Sequence, residues 1–306
     1  IFFGFRRNMS VIDLMQQSSL FFLGSTLVFG LIVGSFLNVV IYRLPIMLER
    51  EWRAQCTELF GNGADENVPT EPFNLIRPGS ACPQCRTPIR AWQNIPLLGW
   101  LLLRGRCANC KAAIPPRYPA IELLTGICFL LVAWRFGVTW ETAAALLLTA
   151  FLIGLSFIDI DHQILPDNMT LPLLWVGLAL TLWHGAITGQ TLFIAPKEAI
   201  VGALAGYLSL WSVYWLFKLI TGKEGMGHGD FKLLAALGAW LGWKLLPLII
   251  ILSALVGAVI GIAMIAIAGR DRQVPIPFGP YLAAAGWIAL LWGDALVSAY
   301  LRTAGM

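Results

Sequence analysis

The chain has 306 residues, of which 58% are hydrophobic and 12% are charged, and its formal net charge is +4 at pH 7. A soluble globular domain carries about twice that share of charged residues, and the mean hydropathy of this chain is +0.74. The composition excludes an ordinary soluble protein, and long uncharged segments such as 19–42 predict a chain that crosses the membrane several times.

The N-terminal part is predicted to be a short tail followed by a membrane anchor. Residues 1–8 precede Met9, which would make a natural start, and we expect residues 1–18 to form the tail. We expect residues 19–44 to form the first transmembrane helix. This segment is too long for a cleaved signal peptide, and it is not preceded by a small-residue cleavage site.

Hydropathy predicts eight candidate transmembrane helices, and the second and the sixth are the weakest of them. The second contains Glu122, and the sixth has only eleven uncharged residues before Lys244. The eight predicted spans cover residues 19–43, 118–136, 140–158, 168–187, 199–219, 231–246, 247–268 and 278–301.

The polar segment between the first two predicted helices contains two Cys-X-X-Cys pairs. CPQC and CANC are separated by 21 residues and contribute Cys82, Cys85, Cys107 and Cys110. Four thiolates at this spacing are typical of a tetrahedral zinc site, which would be structural because four protein ligands leave no open position. Two disulfides or free thiols are the alternative, and a cytoplasmic location would disfavour persistent disulfides.

The predicted fold class is therefore an all-α polytopic membrane protein with about eight transmembrane helices. A small zinc-ribbon-like cytoplasmic domain, residues 45–117, is inserted after the first helix. Residues 118–306 would form a transmembrane domain with the remaining seven helices.

The distribution of basic residues predicts the orientation. Placing residues 45–117 in the cytoplasm collects most Arg and Lys residues there, including Arg270 and Arg272 of a later loop. This arrangement satisfies the positive-inside rule. The opposite side keeps only Arg6, Arg7, Arg135, Lys197, Lys244 and Arg302.

Acidic residues follow the third predicted helix and precede the sixth. The stretch FIDIDHQILPDN contains Asp159, Asp161 and Asp167, and the run GMGHGD ends in Asp230. Two predicted spans separate these stretches, so both should emerge on the same, cytoplasmic face. Acidic residues at membrane depth are costly and tend to mark functional sites.

Several kinds of site could use these aspartates. A calcium loop is excluded because Ile164 and Thr170 stand where glycine and glutamate are needed. A dinucleotide loop is excluded because GMGHGD does not follow a strand and its aspartate would repel pyrophosphate. Helix capping remains open for Asp230 and Asp167. So does catalysis, because two neighbouring carboxylates share a proton and can act as base and acid.

GMGHGD resembles the GxGD signature of membrane aspartic proteases. Together with GSFLNVVIYRLP at 34–45, DIDHQILPD and the cysteine pairs, it is similar to the bacterial type IV prepilin peptidase family. The resemblance implies a leader peptidase and N-methyltransferase with Asp159 and Asp230 as its catalytic pair. Asp159 is preferred to Asp161 because it stands seven residues before Pro166. The resemblance also implies that the four cysteines bind zinc.

The same resemblance implies the cofactors, partners and location. We expect structural zinc and the methyl donor S-adenosylmethionine, for which the sequence indicates no binding residues. The expected partners are prepilins or pseudopilins and the lipid bilayer, with no nucleic acid. The expected location is the bacterial inner membrane, with the zinc domain and the active site on the cytoplasmic side. The alternatives are a GxGD protease of another substrate class and a proton- or cation-coupled transporter that uses interfacial acids.

Some polar residues near these motifs have simpler interpretations. His162 and His228 are interpreted as ordinary interfacial residues, and Lys232 as a lysine that extends its ammonium group to the interface. Ser35 and Asn38 in the first span either hydrogen-bond between helices or belong to the methyltransferase site. Glu122 and Asp294 are acids in predicted spans without an obvious partner.

Overall fold

The computed structural model describes residues 11–60, 72–268 and 276–305. Within these ranges the regular secondary structure is helical, apart from two isolated β-bridges at Ala81–Pro88 and Arg106–Ala113. Residues 1–8 and Met9 lie outside the described residues, as do four of the arginines used to predict the orientation: Arg6, Arg7, Arg270 and Arg272.

Ten α-helices are present in the described residues. In chain order they are α1 (Val11–Gln17), α2 (Ser19–Phe60), α3 (Leu98–Leu102), α4 (Arg117–Phe136), α5 (Trp140–His162), α6 (Asp167–Thr188), α7 (Pro196–Thr221), α8 (His228–Leu241), α9 (Leu246–Ala268) and α10 (Gly279–Thr303). Short 3₁₀ helices occur at Ala91–Asn94 and Trp243–Leu245.

Among the described residues, seven helices are long and apolar enough to cross a membrane: α2, α4, α5, α6, α7, α9 with the 3₁₀ turn before it, and α10. The remaining predicted span corresponds to α8, which has 14 residues. At 1.5 Å per residue it is about 21 Å long, shorter than a hydrocarbon core of about 30 Å. The all-helical membrane architecture is thus confirmed, and the weak sixth span corresponds to a short helix buried inside the protein, beyond whose end Lys244 pairs with Glu198 near the start of α7 at 2.8 Å.

Helix α8 is buried nearly all round, as expected of a helix that is apolar on every face. All residues from Leu233 to Leu241 are buried, and the helix packs against α6, α7 and α10. The Trp240 indole N–H donates a hydrogen bond to the Leu173 carbonyl at 2.8 Å. A Cβ at Gly177 would lie only 2.6 Å from the Trp240 ring, so the α6–α8 contact requires glycine there. These contacts fix the helix whose first turn carries Asp230.

Helix α2 continues well beyond the apolar segment from which its end was predicted. It runs through Pro45 to Phe60, because residues 46–60 contain neither glycine nor a further proline. Glu49 and Arg53 form an i,i+4 ion pair at 2.7 Å that supports this extension. Hydropathy marks the end of the apolar residues, whereas the helix ends later.

The chain divides into two compact units. One comprises residues 1–38 and 79–146, and the other comprises residues 39–78 and 147–306, including the parts that are not described. The four paired cysteines belong to the first unit, whereas Asp159 and Asp230 belong to the second.

Candidate active site

Asp159 lies in the last turn of α5 and is 5% exposed. Its Oδ2 accepts a hydrogen bond from the backbone N–H of Gly279 at 2.9 Å. A negative charge near a helix C-terminus is unfavourable, whereas a helix N-terminus attracts one. Because Gly279 is the first residue of α10, this contact favours a carboxylate at a position that α5 alone would disfavour.

Asp230 occupies the first turn of α8 and is 6% exposed. The helix begins at His228 and its N-cap is Gly227, so Asp230 is not the N-cap residue. Its own N–H donates to the Gly227 carbonyl at 3.2 Å, and its carboxylate lies near the Gly227 backbone. The side chain therefore supports the helix start from the third helical position, where a negative charge is favoured.

The structure brings Asp159 and Asp230 close enough for their carboxylates to interact electrostatically. Two buried carboxylates that interact repel each other when both are ionised, which favours a form with one shared proton. Asp161, two residues beyond Asp159, is exposed. The two buried aspartates are those that the sequence motifs favoured.

Leu165 connects the segments that carry the two aspartates. A Cβ at Gly229 would lie 2.6 Å from the Leu165 Cβ. A Cβ at Gly279 would lie 3.1 Å from the Leu165 Cδ2 and 2.7 Å from the Asp159 Oδ2. Both glycines are therefore needed for close packing around Leu165 and the Asp159 carboxylate.

The three glycines of GMGHGD differ in their surroundings. Gly229 packs against Leu165, and a Cβ at Gly225 would lie 2.8 Å from the Phe217 ring. A Cβ at Gly227 would meet only the Asp230 Oδ2, at 3.7 Å. Two of the glycines thus serve internal packing, and Gly227 is the one beside the carboxylate with free space.

An ion pair joins the N-terminal parts of α6 and α8. The Lys232 Nζ lies 2.6 and 2.7 Å from the two carboxylate oxygens of Asp167. Lys232 therefore has a specific partner, beyond the interfacial role expected of it.

A second ion pair lies at the end of α7. Lys218, in the last turn of that helix, donates to Glu224 at 2.9 Å, and this hydrogen bond lowers the pKa of Glu224.

The two histidines near the aspartates are exposed. The His228 ring packs against Tyr214 and Phe231, with ring centroids 5.2 and 5.5 Å away. His162 is the last residue of α5. Acid–base chemistry by the two aspartates requires neither histidine.

Sequence reasoning missed Gly279. Its signal was the Gly-Pro pair at 279–280, because proline near the first helical position marks a helix start. The pattern predicts where α10 begins. It does not predict the contact with Asp159, because the two residues are 120 positions apart in the chain.

The four paired cysteines form a cluster with the geometry of a zinc site. Their sulfur atoms all lie within 4.8 Å of one another. The Cys82–Cys110 and Cys85–Cys107 sulfur distances are 3.7 and 3.9 Å. A tetrahedral zinc ion with Zn–S bonds of about 2.3 Å places its sulfurs about 3.8 Å apart. These separations fit zinc and are far too long for disulfide bonds of about 2.05 Å.

The backbone around the two cysteine pairs is closely similar. The N–H groups of Arg86 and Lys111 donate to the carbonyls of Cys82 and Cys107, at 2.9 and 3.1 Å. Arg86 and Lys111 have φ values of 56° and 61°. Each loop thus turns sharply after its second cysteine, which directs both sulfurs of the pair to one side.

Comparison with known proteins identifies the relatives of the chain. The domain described as "Bacterial Peptidase A24 N-terminal domain" matches residues 28–136, and the "Type IV leader peptidase family" matches residues 146–262. The second match contains Asp159 and Asp230. No solved structure matches the chain significantly.

Curated relatives named prepilin leader peptidase/N-methyltransferase cover almost the whole chain. The Stutzerimonas stutzeri protein is 53% identical over 300 residues, covering 97% of this chain and 99% of the relative. The Pseudomonas aeruginosa protein is 53% identical over 297 residues, with the same coverage. The Aeromonas hydrophila protein is 58% identical over 273 residues, covering 89% of this chain and 91% of the relative. The chain therefore belongs to the type IV leader peptidase family.

Proposed function

We propose that this protein removes the leader peptide from type IV prepilins and type II secretion pseudopilins and then methylates the new N-terminus. The observation that carries the proposal is the buried, interacting pair Asp159 and Asp230 within the leader peptidase match. The names of the full-length relatives support both activities.

The shared proton of the two aspartates suits general acid–base hydrolysis. The ionised carboxylate takes a proton from a water molecule, whose oxygen attacks the scissile carbonyl carbon. The protonated carboxyl donates its proton to the carbonyl oxygen, which gives a tetrahedral diol. When the C–N bond breaks, the leaving amine takes a proton from one carboxyl, while the other carboxylate takes a proton from a diol hydroxyl, which becomes the carbonyl oxygen of the product. The reaction needs no covalent enzyme intermediate and leaves the pair in its starting protonation state.

The proposed substrate geometry follows from the predicted topology. A prepilin of the resembling family has a basic leader and a hydrophobic helix that begins after a glycine. The leader would stay in the cytoplasm and the helix would enter the inner membrane, which presents the scissile bond at the cytoplasmic surface. We place Asp159 and Asp230 at that surface.

Zinc would have a structural role. When bound, it would cross-link the two cysteine loops through Cys82, Cys85, Cys107 and Cys110, with no free coordination position for a substrate. We propose residues 45–117 as the zinc-binding domain and residues 118–306 as the transmembrane peptidase domain.

S-adenosylmethionine would supply the methyl group when bound. Among the described residues, we assign none to the binding of its adenosine or carboxylate group. The donor contains a cationic sulfonium, and the amine that it methylates is an ammonium ion when protonated, so an acidic side chain would suit either group.

The transporter alternative has no support from the relatives, which are named as peptidases and methyltransferases. The positions of the acids also disfavour it. Asp159 lies in the last turn of α5 and Asp230 in the first turn of α8, whereas a relay across the membrane would use acids along the pathway.

The proposal is tested by incubating the purified protein with a prepilin and isotopically labelled S-adenosylmethionine. Mass spectrometry of the pilin measures leader loss and methylation separately. We expect a product without its leader that carries a labelled methyl group on its new N-terminal amine. An intact prepilin after prolonged incubation would contradict the proposed peptidase.

A further inference from the structure

Glu122 is a buried acid that the peptidase chemistry does not use. It lies in α4, in the first compact unit, and is 8% exposed. The helix begins at Arg117, so Glu122 lies about 7.5 Å along the axis from the helix start. An acidic side chain inside a membrane helix is costly and tends to have a function.

Two polar groups of the same unit hold the Glu122 carboxylate. The backbone N–H of Leu97 donates a hydrogen bond to its Oε2 at 2.8 Å, and the Ser35 side chain lies close enough to interact with it. One turn away along α4, the Asn38 Nδ2 donates to the Tyr118 carbonyl at 3.1 Å. A polar cluster therefore forms where α2, α4 and the loop before α3 meet.

Close helix packing fixes this cluster. A Cβ at Gly34 would lie 2.7 Å from the Glu122 Cα and 3.0 Å from the Thr125 side chain. Glycine at position 34 thus lets α2 approach α4 at the level of the carboxylate. This contact brings Ser35, the next residue along α2, within reach of Glu122.

The loop that binds Glu122 has a strained backbone. Leu97 has φ 59° and ψ −51°, and the N–H of Leu98 donates to the Pro96 carbonyl at 2.6 Å. This is a γ-turn with a positive φ at its central residue, a rare conformation for a leucine. Strained residues persist only where their surroundings hold them, and they concentrate at functional sites. The hydrogen bond from the Leu97 N–H to Glu122 stabilises this strained conformation.

Hydrogen bonding alone does not explain an acid at position 122. A glutamine carbonyl could accept from both Leu97 and Ser35 without the cost of burying a charge. A carboxylate adds the capacity to bind a cation. Methyl transfer has two cationic participants, the N-terminal ammonium of the cut pilin and the sulfonium of the donor, and Glu122 lies outside the leader peptidase match at 146–262.

We propose that Glu122 binds a cationic group of the methyl-transfer reaction, at the polar cluster formed with Ser35 and the Leu97 turn. This inference rests on the methyltransferase activity proposed above. In the reaction, the pilin ammonium first releases a proton to solvent, and the lone pair of the resulting neutral amine then forms the N–CH₃ bond while the S–CH₃ bond breaks. The bonding electrons stay on sulfur, which becomes a neutral thioether, and the methylated ammonium later releases a proton to solvent.

The test uses Glu122→Gln, which keeps a hydrogen-bond acceptor and removes the charge. Each variant is given a pilin that already lacks its leader, together with labelled S-adenosylmethionine, and is assayed separately for prepilin cleavage. We expect kcat/KM for methylation to fall at least about tenfold, the effect of losing one charge-assisted contact, with cleavage within twofold of the wild type. Glu141→Gln, at the start of α5 in the same unit, is the matched control and should methylate normally.

The kinetic constants distinguish the two cations. A raised KM for the pilin identifies the ammonium as the ligand of Glu122, and a raised KM for S-adenosylmethionine identifies the sulfonium. Normal methylation by Glu122→Gln would overturn the inference, and so would a parallel loss of cleavage, methylation and bound zinc. A wild-type protein that fails to cleave prepilin would instead contradict the proposed peptidase.

Discussion

The Asp159 carboxylate and the Gly279 amide lie 2.9 Å apart, although they belong to helices α5 and α10. The contact places a helix N-terminus against one member of the proposed catalytic pair and occupies its Oδ2. The hydrogen bond helps to fix the orientation of the Asp159 carboxylate. Gly279 acts here as a positioning residue, since it contacts the carboxylate and not the substrate.

Replacing Gly279 by alanine should impair cleavage. The new Cβ would lie 2.7 Å from the Asp159 Oδ2, so the carboxylate must move, and a displacement near 1 Å can cost about 100-fold in rate. Gly185→Ala is the matched control, because the nearest atom to its new Cβ is 3.9 Å away. Cleavage rates of the two purified variants check this prediction. A normal rate for Gly279→Ala would exclude the positioning role.

Motifs in the sequence predicted the acidic pair but not its surroundings. The choice of Asp159 over Asp161 came from its spacing to Pro166, and the structure finds Asp159 buried and Asp161 exposed. The contacts of Leu165 with Gly229 and Gly279 join three distant segments. Such contacts depend on helix packing, for which a single sequence contains no direct signal.

Among the structural elements, α8 shows what hydropathy can and cannot distinguish. Its run of apolar residues predicted a weak membrane span, but the run is short and buried among α6, α7 and α10. Lipid and a protein core are both apolar, so both select the same residues. A helix of 14 residues is shorter than the hydrocarbon layer is thick, so length separates this buried helix from the seven longer spans, which hydropathy alone does not.

The two cysteine loops form an element that we expect to depend on zinc. Replacing either Cys82 or Cys110 by serine should reduce bound zinc from about one ion per chain to nearly none, because a structural site needs all four ligands. Segment 79–116 should then be cut more readily by proteases, since metal binding contributes directly to the folding of small zinc domains.

Cys128→Ser is the control for the zinc prediction, because Cys128 lies in α4 and outside the cluster. Elemental analysis and limited proteolysis of the purified proteins provide the two measurements. Full zinc occupancy in Cys82→Ser or Cys110→Ser would be incompatible with the four-cysteine site.

For the whole molecule, the orientation in the membrane is the main prediction drawn from charge. The basic residues between the first and second predicted spans favour a cytoplasmic location for residues 45–117. The structure supplies a natural reporter of this orientation. Cys56 is exposed and lies near the end of α2, beyond its apolar part.

A membrane-impermeant maleimide should label Cys56 in inside-out vesicles and not in intact spheroplasts. Mass spectrometry of the labelled peptide identifies the site, and Cys56→Ser provides the background signal. Labelling of Cys56 in intact spheroplasts would reverse the predicted orientation, and with it the proposed cytoplasmic location of the zinc domain.

Asp159 and Asp230 are proposed to cut the leader together, and their single alanine variants test this role. Loss of one member of a catalytic unit should slow cleavage by at least about 10,000-fold. The exposed neighbour Asp161, replaced by alanine, is the matched control and should leave cleavage close to the wild-type rate. The measurement is leader loss from a prepilin, followed by mass spectrometry with variants that insert in the membrane normally. We predict an intact prepilin with Asp159→Ala and with Asp230→Ala, and efficient cleavage by either variant would contradict the proposed catalytic pair.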